Sequence, residues 1–426
     1  MKKLIEILVL ILIMNLALLI RNCEAQWIQM TGGIGNYQNV YSLANIGNNI
    51  FAGTSLGIWR STNNGTNWTL IGLNTKEVRS LAVSGTNIFA SIVDLNNPVG
   101  VYISTNNGTN WTQTALNNLD VDALTASGTN IYAGTEQGVY HTSNNGASWT
   151  FLGLTDQYVH AILVVGSSIY AGCDMWGGSY GGGVYASGNN GASWSFIGLY
   201  NSDVNALAAV GNTVFAGIDY IYPNQGTGGV YVYNNSGTSW STLGLGNEWV
   251  YALAVSGNNL FSGSSADDFP TFGTGGVYLS TNSGSTFINK NQGYYNEDMR
   301  IASLLIANNY IFSGCSWRGV WRRSLSEIIN VQNISTEIPS KYTLSQNYPN
   351  PFNPTTSIEF DVVQTAEVVI SVFDVSGKEI EILVNEKLQP GKYKTEWNGT
   401  GHSSGVYFYR MQTGNFNQSK QMLMIK

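Results

Sequence analysis

At 426 residues, with 49 glycines against 8 prolines, 12% aromatic and only 11% charged residues, the chain suits a large turn-rich all-β domain plus a small one and excludes a disordered polymer. The net charge is −7, and between Gln26 and Ile338 there are 16 acids against 8 bases, whereas Pro339 to Lys426 holds 8 of each. An acidic main region with scattered bases argues against nucleic acid or an anionic membrane as partner.

Residues 1–25 read as a secretory signal peptide: Lys2-Lys3, a mostly apolar run from Ile7 to Ile20, then Cys23-Glu24-Ala25 as a cleavage context before Gln26. The run is short for a membrane span and no second one follows, so no span is expected after cleavage. Cleavage would leave Cys173 and Cys315, each directly after the glycine of the same repeat position, in the fourth and seventh units. Positions so far apart exceed the ~7 Å Cα limit for a disulfide, and both are expected to be small buried thiols.

Seven units of about 40 residues follow. Each opens on a Val-x-Ala/Ser-Leu run, at Val40, Val78, Val121, Val159, Val204, Val250 and, more loosely, Ile301. About ten residues later comes the phrase of Ile50-Phe51-Ala52-Gly53, repeated at Ile88, Ile131, Ile169, Val214, Leu260 and Ile311. In the unit Val121–Leu154, Val121-Asp-Ala-Leu predicts a first strand, Ile131-Tyr-Ala-Gly a second, Gly138-Val-Tyr-His a third and Trp149-Thr-Phe-Leu a fourth. Asn144-Asn145-Gly146 between the last two supplies the positive φ angles that tight hairpins need. A fixed period filled with short strands is the pattern of propeller blades, so the fold class is all-β, a seven-bladed β-propeller over 26–325. The seventh unit lacks a fourth strand after Trp321. Trp27-Ile28-Gln29 resembles the missing piece (compare Trp68-Thr69-Leu70) and is expected to close the ring.

The third-to-fourth-strand turns at Ser61–Trp68, Ser104–Trp111, Thr142–Trp149, Ser187–Trp194, Tyr233–Trp240 and Ser280–Phe287 resemble the Asp-box (BNR repeat) of sialidase-like β-propellers, Ser-x-Asp-x-Gly-x-x-Trp. Asn stands in place of the Asp at 63, 106, 144, 189, 235 and 282. The resemblance implies a structural hairpin remote from any active site.

Departures from the repeat point to function. Between the small residue of the second strand and the glycine opening the third lie 3, 8, 3, 10, 11, 12 and 4 residues. These connections share one end of a propeller, so the inserts of blades four to six mark a binding rim. The rim holds Asp174, Trp176 and Tyr180, then Asp219, Tyr220 and Tyr222, then Asp267 and Asp268; neighbouring loops add Tyr158, Tyr200, Glu248, Trp249 and Tyr294. Aromatic faces with carboxylates suit a glycan, and equally a surface-protein partner, while Gly-rich loops that merely cover the propeller end are the third reading. The residue after each first-strand Val is expected near the channel: Tyr41, Arg79, Asp122, His160, Asn205 and Tyr251, with Ala302 in the last unit. Asp122 beside His160 could in principle move protons. A sialidase would need several arginines that cannot be placed here, whereas a glycoside hydrolase with two rim carboxylates remains an alternative, with no catalytic residue singled out. His141, His160 and His402 are isolated, and no phosphate loop or metal-spaced cluster occurs, so no cofactor and no metal are expected.

The grammar changes after Ile338. Ser326–Ser340 is expected to be a linker. Pro349-Asn350-Pro351-Phe352-Asn353-Pro354 opens a run of alternating strands, and Gly405-Val406-Tyr407 precedes a closing Lys420–Lys426. Residues 341–426 resemble the type A C-terminal sorting domain of type IX secretion. That resemblance implies a small Ig-like β-sandwich, recognition by the secretion machinery, cleavage near its start, and a final place outside the cell or on its surface. The expectation is thus a secreted, monomeric binding module.

Overall fold

The structure is a computed structural model and describes residues 26–35, 37–93, 100–174, 182–221, 228–233, 239–257, 259–266, 275–281, 283–294, 299–328, 331–335, 337–399 and 402–425. Two compact units divide the described residues, one within Ile28–Ile329 and the other within Asn330–Lys426 together with Gln26 and Trp27.

The larger unit has a β-propeller fold. Its described residues form seven four-stranded antiparallel sheets, six of them consecutive in sequence. The first strands of these sheets, numbered 1 to 7 below, are Val40–Ile46, Glu77–Ser84, Val121–Ser127, Tyr158–Val165, Ser202–Val210, Glu248–Ser256 and Ile301–Ala307. Each first strand touches the next, and that of sheet 7 returns to that of sheet 1. Sheet 7 takes Ile28–Gln29 as its fourth strand, with Ile28 opposite Arg322 and Gln29 opposite Trp321.

The second strands explain the Ile-Phe-Ala-Gly phrase. They are covered on both faces by neighbouring sheets: Ile50, Phe51 and Ala52 are fully buried, as are Ile131 and Ala133. A continuous apolar run rather than an alternating one follows from that double burial. The glycine ending the phrase is a place where adjacent sheets approach closely. A Cβ on Gly134 would lie 2.6 Å from the Val159 carbonyl oxygen, and one on Gly314 would lie 2.6 Å from Val40 Cγ1 across the ring junction. Sheet 2 carries Ser91 instead, whose hydroxyl accepts a hydrogen bond from Ser80 N–H at 2.9 Å.

The recurrent turns are self-contained. Ser61 Oγ accepts Gly65 N–H at 2.8 Å and donates to Asn63 Oδ1, which also accepts Asn67 N–H at 2.9 Å. Ser104–Asn106, Thr142–Asn144 and Ser187–Asn189 repeat this arrangement. Asn145 and Gly146 take φ of 57° and 78°, a left-handed pair that Asn-Gly adopts at low cost. The amide oxygen thus accepts the backbone N–H that an aspartate would. Asn235 and Asn282 lie outside the described residues.

Cys173 and Cys315 are buried free thiols, and burial pushes both pKa values up, that of Cys315 to about 12.

The smaller unit consists of two four-stranded sheets. One orders Val331–Ser335, Gly391–Asn398, Thr355–Val362 and Thr343–Leu344; the other orders Glu379–Leu388, Ala366–Phe373, Gly405–Thr413 and Phe416–Met424. The expected linker 326–340 is corrected here: it contains most of a short helix, Leu325–Ile328, and the strand Val331–Ser335, which pairs with Gly391–Asn398. Its Asn- and Ser-rich composition masks a strand anchored by Val331, which is fully buried.

Candidate functional site

Every first strand of the larger unit bulges at one equivalent place. The register shifts across Tyr41, Arg79, Asp122, His160, Asn205, Tyr251 and Ala302, so two residues face one on the second strand. A bulge leaves the extra residue out of the ladder and re-aims its side chain. All seven are half-buried, whereas the Val or Ile before each is fully buried. One local irregularity, repeated sevenfold, thus brings a ring of variable side chains together.

Across sheets 2 to 5 these side chains join into a charged arc. Arg79 Nη1 donates to Asp122 Oδ1 at 2.6 Å, bridging sheets 2 and 3, while its Nε donates to Glu77 Oε1 at 3.0 Å. Burial works against the Arg79 charge, but Asp122 and Glu77 outweigh it and raise the pKa. On the far side of Asp122, His160 Nε2 lies 4.0 Å from Asp122 Oδ2 and 3.5 Å from Asp174 Oδ2. Asp174 is the last residue of the second strand of sheet 4, opposite Tyr158, where the insert 175–181 leaves. The Tyr158 ring packs on His160 with centroids 4.7 Å apart; burial first, and then the Asp122 charge, pushes its hydroxyl pKa upward. Asp219 is itself bulged out of the second strand of sheet 5. Burial raises its pKa, and Asp174 adds to the effect while the neighbouring Asn205 opposes it.

Several polar atoms of the arc are buried without a hydrogen-bond partner: Asp122 Oδ2, His160 Nε2, Asn205 Nδ2 and Asp219 Oδ1. Trp249 Nε1, at the start of sheet 6, is another. Beyond it, the Arg300 guanidinium stacks over the Tyr251 ring at 4.3 Å.

The structure therefore places Asp122, Tyr158, His160, Asp174 and Asp219 in one neighbourhood. Trp176, Tyr180, Tyr222, Asp267 and Asp268 lie outside the described residues, as does the side chain of Tyr220, whose backbone pairs with Asp203. Two expected rim residues prove internal. Glu248 is buried and accepts hydrogen bonds from Tyr278 Oη at 2.6 Å, Ser264 Oγ at 2.9 Å and Gly275 N–H at 3.1 Å, so it ties down the base of the sheet 6 insert. Tyr294 bonds Ser313 and packs edge-on against Trp321. Glu77 was not singled out from the sequence, although its spacing from Arg79 puts both on one face of a strand. Among the described residues no three His, Cys, Asp or Glu side chains are arranged to hold a metal ion.

In the smaller unit, the Pro349–Pro354 segment lies along the final strand. Phe352 N–H donates to Leu423 O and Ile425 N–H to Phe352 O, both at 3.0 Å, while Asn350 Oδ1 accepts Leu423 N–H at 2.9 Å. The buried Phe352 ring packs on Trp397, which also meets Tyr407. Pro349, Asn350, Pro351 and Asn353 are exposed, Pro354, Gly405 and Val406 half-buried.

Fold and site together define an all-β propeller protein with a polar cluster at one end. Residues 346–426 match the family described as the secretion system C-terminal sorting domain. This domain marks proteins exported by type IX secretion to the cell surface or extracellular space, and implies interaction with that machinery. No curated protein matches the sequence. Among solved structures the chain is similar to YCF48 bound to D1 peptide, with a TM-score of 0.52 and 14% identity over 70% of this chain and 94% of that one. An ancestral GH74 enzyme matches at TM-score 0.48 and 15% identity, over 92% of this chain and 57% of that one. The Vanderwaltozyma polyspora Nup133 β-propeller domain matches at TM-score 0.37 and 10% identity, over 70% of this chain and 99% of that one. At these identities the likeness concerns the fold alone.

Proposed function

We propose that the protein is a secreted, monomeric, seven-bladed propeller of the Asp-box type that serves as an extracellular binding module. The signal peptide 1–25 is removed, and an Ig-like sandwich near the C-terminus carries the export signal. A glycan or a surface protein engages the end from which the inserts of blades four to six leave. One observation carries the reading: Asp122, His160 and Asp174 converge from sheets 3 and 4 at the point where an insert departs. The similarity to a propeller whose solved structure contains a bound peptide agrees with a recognition role.

A two-carboxylate glycoside hydrolase is the second reading. Asp122 Oδ2 and Asp174 Oδ2 lie 4.0 Å and 3.5 Å from the same imidazole nitrogen, which keeps them below the upper limit of about 9.5 Å for glycosidase pairs. The imidazole occupies the gap where a sugar or water would stand, which favours binding. A glycan array and a surface-protein capture with the full-length chain, run beside polysaccharide hydrolysis assays, separate the readings. Loss of the captured ligand in Trp176→Ala and Trp249→Ala supports the binding face. If every detected interaction survives both substitutions, the reading is wrong.

A further inference from the structure

We propose that Trp317 is a stacking platform for a pyranose ring of a neutral glycan, at the junction of sheets 7 and 1. This rests on the reading of the insert-bearing end as the binding face, and adds a contact there outside the inserts of blades four to six.

The turn from Cys315 to Gly319 joins the second and third strands of sheet 7, and Thr54 to Gly57 does the same in sheet 1, so both leave the end that carries the inserts. Residues 37–39, which precede the first strand of sheet 1, tie the two turns together. Gly319 N–H donates to Gln38 O and Ser55 N–H to Asn39 O, both at 3.1 Å. Trp317 is held here at φ 58°, a left-handed conformation that a bulky side chain adopts only at a cost. Its N–H donates to Asn39 Oδ1 at 2.7 Å and the Ser316 N–H to Arg300 O at 3.0 Å, so the turn is fixed from both sides. Sheets 1 and 3 make the same connection with two residues between the paired ends where sheet 7 uses three, so the fold does not require the strained residue. Nor does burial repay it, since the indole is 67% exposed. Strain kept beneath a large exposed apolar side chain marks a functional position.

Size and charge select the ligand. Tyr37 and Trp317 are the two most exposed large apolar side chains among the described residues of the larger unit, and Leu56, next to Ser55, is exposed as well. Three such side chains on three loops fall far short of the about 20–30 residues that each partner gives to a stable protein interface. A single indole, in contrast, matches one sugar ring. The C–H face of a pyranose is apolar and packs on an aromatic face, while its hydroxyls pair with uncharged donors and acceptors. Arg318 is the one charged residue in 35–39, 54–57 and 315–319, and Gln38, Ser55 and Ser316 are polar and uncharged, so the surface favours a neutral ligand.

Native gel electrophoresis of the full-length chain through hydroxyethyl cellulose, xyloglucan, laminarin or galactomannan tests this. At least one polymer should slow the wild-type chain, with Trp317→Ala binding about tenfold more weakly and Trp317→Phe, which keeps a ring, losing less. Trp317→Gly adopts φ 58° without strain, so it should lose the same affinity while melting no lower than the wild type. A clearly lower melting temperature in Trp317→Gly would make the indole structural and overturn the proposal. No retardation by any of the polymers overturns it as well, and so does retardation that Trp317→Ala leaves unchanged. In that last case, loss of retardation in Trp176→Ala and Trp249→Ala leaves the binding face standing on its inserts alone, and survival in those variants too defeats both. If Trp317→Ala releases a captured surface protein and changes no polymer's retardation, the ligand is a protein and the glycan is refuted.

Discussion

Replacing Arg79 by Met tests whether the arc is an energetically coupled unit. The substitution keeps the aliphatic stem and removes both the 2.6 Å bond to Asp122 and the 3.0 Å bond to Glu77. Glu77 and the Arg79 head are about one-third exposed, so water replaces most of that second bond and its loss costs under about 1 kcal/mol. Asp122 is different: its side chain is 7% exposed and would keep a charge with one oxygen newly orphaned. Hydrogen bonds to charged groups contribute about 1.5–3 kcal/mol, and partial access through the vacated Arg79 position brings the expected cost to about 2 kcal/mol. Because most of this belongs to the uncompensated Asp122 charge, adding Asp122→Asn to Arg79→Met should recover at least about 1 kcal/mol in a double-mutant cycle. Urea unfolding of the full-length chain, followed by tryptophan fluorescence and resolved into its separate transitions, reads this energy. Strictly additive losses would refute the reasoning and reduce the arc to independent surface contacts.

Two further outcomes follow from the same structure. The pKa of Asp219 is raised by burial, so the folded state favours its protonated form. Its stabilising contribution is full below the ordinary carboxylate range and is lost as pH rises through the raised value. Asp219→Asn should therefore raise the melting temperature at about pH 8 and leave it nearly unchanged near pH 4, and a gain larger at acid pH would reverse the argument. Phe352→Ala should cost the smaller unit about 3–5 kcal/mol, because a buried ring is lost from the Trp397 cluster, and should reduce export. An unchanged melting transition for that unit would show that the ring is not packed as described.

Legibility in the sequence tracked how local each interaction is. The strand order within sheets 1 to 6 was readable because Asn-Gly turns and double-buried second strands leave their mark within a few residues. The residue after each first-strand Val stood out as variable and polar, but the bulge it forms was not readable, because a one-residue register shift leaves no mark in the strand's own composition. Nor was the contact of Arg79 with Asp122. It joins residues 43 positions apart through the approach of two sheets, which no single repeat encodes. Glu248 was misplaced on the rim because it was read as part of a loop between blades, whereas it begins the strand Glu248–Ser256 and three converging donors make its burial tolerable. Val331–Ser335 was taken for linker because a strand of five residues beside a polar composition gives too little alternation to detect.

The central claim is that ligands meet the bulged, insert-bearing end of the propeller and not the end bearing the Asn-Gly turns. Hydrogen–deuterium exchange on the full-length chain, with and without a captured glycan or surface protein, locates that contact directly. The account predicts new protection at the starts of the first strands of sheets 3 to 5, around Asp122, His160 and Asn205. Protection confined to the turns at Ser61–Trp68, Ser104–Trp111 and Thr142–Trp149, with none around His160, would contradict it.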